Sequence, residues 1–153
     1  MSKNVLIVMC GLPASGKSTY SEWLAESGVF WRVCPDLIRG WLYGDESIQG
    51  NGKQVFEYAY NDIKKYGSIG ENVVFDATNI DRKRRRELVK EMRPYFDVII
   101  CKWFSTPLRI CKLRNEQRER KVPYEVLESM DRRFAIPNLD DGFDIVEEIK
   151  NYY

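Results

Sequence analysis

Apolar and polar positions along the chain fall into two rhythms that take turns. Residues 4–10, Asn-Val-Leu-Ile-Val-Met-Cys, are almost unbroken apolar sequence, as in a strand buried on both faces. Tyr20, Trp23 and Leu24 then recur at i, i+3 and i+4, a helical stripe that stops at Gly28. Residues 29–33 read as a second strand leading into a short helix over 36–43. Residues 44–52 are a polar loop with a turn signal at Gly50-Asn51-Gly52. Val55, Phe56, Ala59, Tyr60 and Ile63 form the next stripe, and residues 72–76 a buried strand. Leu88, Val89 and Met92 mark the helix after it, and residues 97–104 read as the fourth strand. Thr106 is expected to cap a helix with Pro107 at its first position. Val122-Pro123 opens another, with Val126, Leu127, Met130 and Phe134 on one face. Residues 144–149 read as a last edge strand. Alternation of this kind, with short loops and no internal repeat, predicts a parallel α/β sheet with helices on both faces.

Composition narrows the classes. A chain of 153 residues fits a single domain over 1–153 with a proper core. Lysine plus arginine (24) nearly cancels aspartate plus glutamate (23), so the net charge is +1. Any nucleic-acid contact must then come from a local patch. No apolar run approaches membrane-spanning length, and the first residues lack a signal-peptide pattern. Cys10, Cys34, Cys101 and Cys111 are widely spaced, without C-x-x-C, and read as reduced core thiols of a cytoplasmic protein. There is no histidine, so a general base must be a carboxylate, a lysine or a tyrosine.

Between the first strand and the first helix lies Gly11-Leu-Pro-Ala-Ser-Gly-Lys-Ser-Thr19, which contains G-x-x-x-x-G-K-[ST]. In this P-loop pattern the glycines let successive backbone N–H groups turn inward on an anion at a helix N-terminus. Gly11, Pro13, Ala14, Ser15, Gly16, Lys17, Ser18 and Thr19 are therefore the expected nucleotide cradle. Lys17 reaches the β- and γ-phosphates and Ser18 offers its hydroxyl to Mg²⁺. The expected fold is a P-loop NTPase sheet of about five strands in adenylate-kinase-like order, binding ATP or GTP with Mg²⁺.

Ligands of open α/β sheets gather beyond the carboxyl ends of the strands. Asp36 and Arg39 follow strand two and share a helix face; the carboxylate can accept a hydroxyl proton while the guanidinium holds a phosphate oxygen. The same spacing also suits a capping aspartate in a surface ion pair. Asp76, ending strand three, can order Mg²⁺ waters, and Thr78 and Asn79 offer uncharged groups to a sugar edge; the plainer reading is a strand-to-helix turn. Residues 114–121 are basic, and a lid closing Arg114 and Arg118 over the triphosphate has this form. Its alternative is a solvated helix face. The run Arg82-Lys83-Arg84-Arg85-Arg86 reads either as a solvated helix start or as a contact for the phosphates of a longer acceptor. Trp31, Trp41, Tyr43 and Trp103 read as core or pocket wall.

As a set, G-L-P-A-S-G-K-S-T, P-D-L-I-R, D-A-T-N-I-D-R-K-R-R and R-N-E-Q-R-E-R-K-V-P-Y-E-V-L-E-S-M resemble the kinase domain of phage-type polynucleotide 5′-hydroxyl kinases, in order from about Val5 to Met130. The resemblance implies phosphoryl transfer from ATP or GTP to the 5′-hydroxyl end of single-stranded RNA or DNA. It implies Asp36 as general base, Arg39 on the acceptor phosphate, Arg118 (with Arg114) as lid arginine over about 114–122, and Thr78 and Val122 as acceptor-pocket walls. Two departures stand out. Ala77 occupies a position where the family pattern has aspartate, with Asp76 displaced by one. The Arg118-to-Val122 spacing is one residue tighter, which brings Arg120 into question for the same role. Family members often carry a 3′-phosphatase domain; Asp140-Asp141-Gly142 lacks the required D-x-D, so a stand-alone kinase is expected. The competing functions are a P-loop kinase of a small-molecule hydroxyl (nucleoside, antibiotic, sugar acid) or of a hydroxymethylated DNA base, and a nucleotide-gated switch ATPase.

Overall fold

The structure is a computed structural model, and it describes residues 3–46 and 50–151. Five strands, β1 (Val5–Cys10), β2 (Phe30–Val33), β3 (Asn72–Phe75), β4 (Val98–Phe104) and β5 (Ile145–Ile149), form one sheet in the order β2-β3-β1-β4-β5. Every pairing is parallel. Among the described residues six α-helices accompany them: α1 (Lys17–Glu26), α2 (Pro35–Tyr43), α3 (Gly52–Ser68), α4 (Arg82–Met92), α5 (Leu108–Glu116) and α6 (Tyr124–Arg133). This is the expected doubly covered sheet, and its strand order is the expected one.

Period-two alternation explains why β1 sits at the centre. Leu6, Val8 and Cys10 face one side with Ala59 and Ile63 of α3 and Leu88 and Met92 of α4. Ile7 and Met9 face the other, with Leu24 of α1 and Phe104. Burial on both faces is what an unbroken apolar run requires. All four cysteines are free and buried. Among the described residues no helix is long and apolar enough to cross a membrane.

The structure corrects several expectations. Helix α5 begins at Leu108 with Pro107 in the capping position, and Thr106 is not its cap. The Thr106 hydroxyl instead donates to Ser15 O (2.8 Å) and to Asn151 Oδ1 (3.0 Å), tying the P-loop to the chain after β5. Trp41 is 77% exposed and Trp31 50% exposed, so neither is core. Trp41 borders a small pocket of about 140 Å³ with Leu37 and Ile38, and neither tryptophan lines the large cleft at the carboxyl ends of the strands. Trp31 stacks on Tyr66 with ring centroids 4.9 Å apart, and Trp41 meets Tyr58 edge-on. The run 82–86 is not simply a solvated face. Arg85 is fully buried, and its Nε donates to Asp141 Oδ2 at 3.0 Å. Arg82 and Arg86 lie 3.6 Å from the same carboxylate. Most of the polar loop over 44–52 is described, but residues 47–49 lie outside the described residues.

Candidate active site

A cleft of about 900 Å³ opens at the carboxyl ends of the strands, at the upper end of the size range of small-molecule sites. The P-loop forms its floor. Ala14 (φ 65°) and Gly16 (φ 107°) both take left-handed backbone, turning the loop sharply into α1. Gly16 has a second reason to be glycine: a Cβ there would lie 2.1 Å from Asn151 Nδ2. At Gly11 a Cβ would lie 2.8 Å from Ser15 Oγ and 3.2 Å from the Phe104 side chain. Gly11 and Ser15 therefore underlie the loop, whereas Pro13, Ala14, Gly16, Lys17, Ser18 and Thr19 line the cleft.

Lys17 is buried, and its Nζ donates to Leu12 O at 2.8 Å. Burial lowers its pKa from the ordinary lysine value, and the Asp76 carboxylate opposes that shift. Asp76 follows β3 and is itself 4% exposed. Its Oδ2 accepts from Ser21 Oγ (2.7 Å) and Arg32 Nη2 (2.8 Å), which fixes it beneath the loop. Ser18 is exposed to the cleft. A hydroxyl backed by a held carboxylate is an oxygen-only donor pair of the kind Mg²⁺ takes while keeping several waters. Among the described residues no three histidine, cysteine or acidic side chains cluster as a cage, so any such ion must draw most of its ligands from phosphate and water.

Across the cleft, α2 presents Asp36 and Arg39 one turn apart, joined as an ion pair through Arg39 Nη1 and Asp36 Oδ1. Asp36 Oδ2 accepts a second guanidinium: Arg120 Nη2, at 2.9 Å. Arg39 Nε is buried and has no hydrogen-bond partner among the described residues. The Asp36–Arg39 ion pair is therefore part of the cleft lining.

Helix α5 ends at Glu116, so Arg118 stands in the following turn rather than one helical turn beyond Arg114. Both line the cleft. Arg114 donates to Ser15 O (3.2 Å) and Asn151 O (2.9 Å), clasping the P-loop and the end of β5 together. Arg118 N donates to Asn115 O at 3.2 Å, but its guanidinium makes no ion pair or hydrogen bond among the described residues. Thr78 and Val122 line the cleft as expected, and Thr78 O also accepts from Gly11 N at 2.9 Å. Asn79 does not line it. Its backbone is left-handed (φ 46°) and its amide donates to Met9 O at 2.6 Å, so the side chain braces β1 instead of facing an acceptor.

Some cleft residues carry no signal in the sequence reading. Phe56, Val126 and Met130 form an apolar wall near Thr78 and Val122, and each reads in the sequence as helix stripe alone. Asn151 could have been found. It lies just beyond the carboxyl end of β5, the position where ligands of such sheets gather.

Comparison with known proteins agrees with the fold. Over 149 residues (92% of the chain) the sequence is 26% identical to an L-seryl-tRNA(Sec) kinase of Methanococcus maripaludis. Over 149 residues (94% of the chain) it is 25% identical to a bifunctional polynucleotide phosphatase/kinase of Schizosaccharomyces pombe. The alignments span 56% and 33% of those two proteins' lengths. The fold superposes on a chain of the Pnkp1/Rnl/Hen1 RNA repair complex with a TM-score of 0.77 at 21% identity, covering 87% of this chain and 44% of that one. Residues 6–137 match the AAA-domain family AAA_33, so the chain belongs to that family and carries its P-loop kinase fold.

Proposed function

We propose that this protein transfers the γ-phosphoryl group of ATP or GTP to the 5′-hydroxyl end of RNA or DNA. The observation that carries the reading is that Asp36, paired to Arg39 and Arg120, shares one cleft with the P-loop and the lid arginines. The similarity to a bifunctional polynucleotide phosphatase/kinase supports the acceptor class.

Each chain element has a task in this reading. The P-loop N–H groups and Lys17 hold the donor phosphates. Ser18, with Asp76 behind it, would hold Mg²⁺, which supplies charge neutralisation at the phosphate oxygens when bound. Asp36 accepts the proton of the incoming hydroxyl. Arg39 steadies the phosphate next to that hydroxyl, and Arg118 turns onto the transferred phosphoryl. Such transition states are loose, so alignment and electrostatics do most of the catalysis. Thr78, Val122 and the apolar wall around them hold the terminal nucleoside.

Incubation with γ-labelled ATP or GTP, Mg²⁺ and a 5′-hydroxyl oligonucleotide tests the proposal, with the 5′-phosphorylated oligonucleotide as the blank. Label on the 5′-hydroxyl strand alone is the expected result. Label on nucleosides, sugar acids or an aminoacyl hydroxyl, with none on the oligonucleotide, would assign the cleft to a small hydroxyl acceptor instead.

A further inference from the structure

Asp36 is held from two sides, and only one of its partners belongs to its own helix. Arg39 grips Oδ1 from one turn along α2. Arg120 reaches Oδ2 at 2.9 Å from the segment between α5 and α6, 84 residues away in sequence. The same guanidinium donates through Nη1 to Glu46 O at 3.3 Å, in the turn that follows α2. Glu46 in turn packs against α2, since a Cβ on Gly40 would lie 3.0 Å from its Cγ. Arg120 thus lines the cleft and bonds both to the first turn of α2 and to the turn that follows the helix.

We infer that Arg120 is the positioning residue of the acceptor half of the site, fixing the Asp36 carboxylate from the lid. This rests on the reading of Asp36 as the base. A carboxylate near a helix N-terminus with 41% of its side chain exposed has a soft terminal torsion. One i, i+3 partner does not set the orientation of both oxygens. The second guanidinium does so, and it arrives only when the 118–122 segment lies over the cleft. Each carboxylate oxygen has two lone-pair directions, so Arg39 and Arg120 together leave two for a substrate hydroxyl. Lid closure and base orientation become one event. Two cations around one anion also leave a surplus positive charge beside the acceptor, and Arg39 Nε remains an unused buried donor there. The division of labour is then clear: Arg114 and Arg118 serve the donor phosphates, and Arg120 serves the acceptor.

Arg120→Ala and Arg120→Lys test this. With the acceptor the wild type uses, Arg120→Ala should lower kcat about 10- to 100-fold, the scale of a misplaced reacting group. Nucleotide Kd without acceptor should stay within about twofold, and the lysine variant, still cationic, should recover part of the loss. Hydrogen exchange supplies a readout that needs no acceptor. Amides over 117–122 should exchange faster in Arg120→Ala and in Asp36→Ala, with the double variant no faster than either. Additive exchange effects, or weaker nucleotide binding with unchanged kcat, would overturn the assignment and return Arg120 to the donor side. If the wild type phosphorylates no oligonucleotide, the proposed acceptor fails, whereas the exchange result still decides for or against Arg120.

Discussion

Arg85 and Asp141 meet inside the protein, Nε to Oδ2 at 3.0 Å, with both side chains wholly removed from solvent. The pair joins α4 to the turn over Leu139–Asp141, and Arg85 also donates to Asn79 O at 2.9 Å. Removing Arg85 leaves the buried Asp141 carboxylate only the longer contacts to the half-exposed Arg82 and Arg86, each 3.6 Å away. Arg85→Ala should therefore cost about 3–5 kcal/mol of stability by urea denaturation. Arg82→Ala and Arg86→Ala, whose side chains are 45% and 54% exposed, should each cost about 0–1 kcal/mol. Equal effects at all three positions would contradict the distinction drawn between them.

Asn79 braces the P-loop strand from a left-handed backbone position. Asn79→Gly keeps that backbone accessible and loses the bond to Met9 O together with the longer one to Ala77 O (3.4 Å), about 1–2 kcal/mol in all. Asn79→Val adds a left-handed penalty of about 1–2 kcal/mol to the same loss. Thermal unfolding of the two variants checks the ranking, and a valine variant as stable as the glycine one would refute it.

Lys17 gives the nucleotide-free protein a defined pH response. Its folded pKa is lowered from 10.5 by burial, so the charged form is disfavoured by folding. Between that lowered value and 10.5 the unfolded chain binds more protons, and stability contributed at this site rises with pH. Measured against Lys17→Met, wild type should gain relative stability as pH climbs from neutral to 10.5. A flat difference would show that burial leaves the ammonium unperturbed. The same variant should lose phosphoryl transfer at every pH.

How far the sequence announced all this depends on how local each cause is. The β1 run, the glycine loop and the α1 stripe are set by neighbours within a few residues, and the strand order followed from the motif they form. Arg85 was hidden because its partner lies 56 residues ahead and nothing in a run of five cations singles out one for burial. Trp31 and Trp41 misled for the opposite reason. Large aromatics usually bury, but an edge strand and the outer face of α2 leave these two in solvent, resting on Tyr66 and Tyr58. Thr106 looked like a helix cap because a threonine oxygen can accept from the first-turn N–H groups, but in the structure its hydroxyl is turned to donate to Ser15 O. Asp36 and Arg39 were legible as a pair; Arg120, coming from the far side of the cleft, was visible only as a spacing anomaly.

In the proposed reaction the Asp36 carboxylate takes the proton of the attacking hydroxyl. Single-turnover transfer from γ-labelled nucleotide to a 5′-hydroxyl oligonucleotide, compared between wild type and Asp36→Asn, is the decisive measurement. The rate should fall by about two to four orders of magnitude, with nucleotide affinity nearly unchanged. An asparagine enzyme that transfers label as fast as wild type would remove Asp36 from the chemistry.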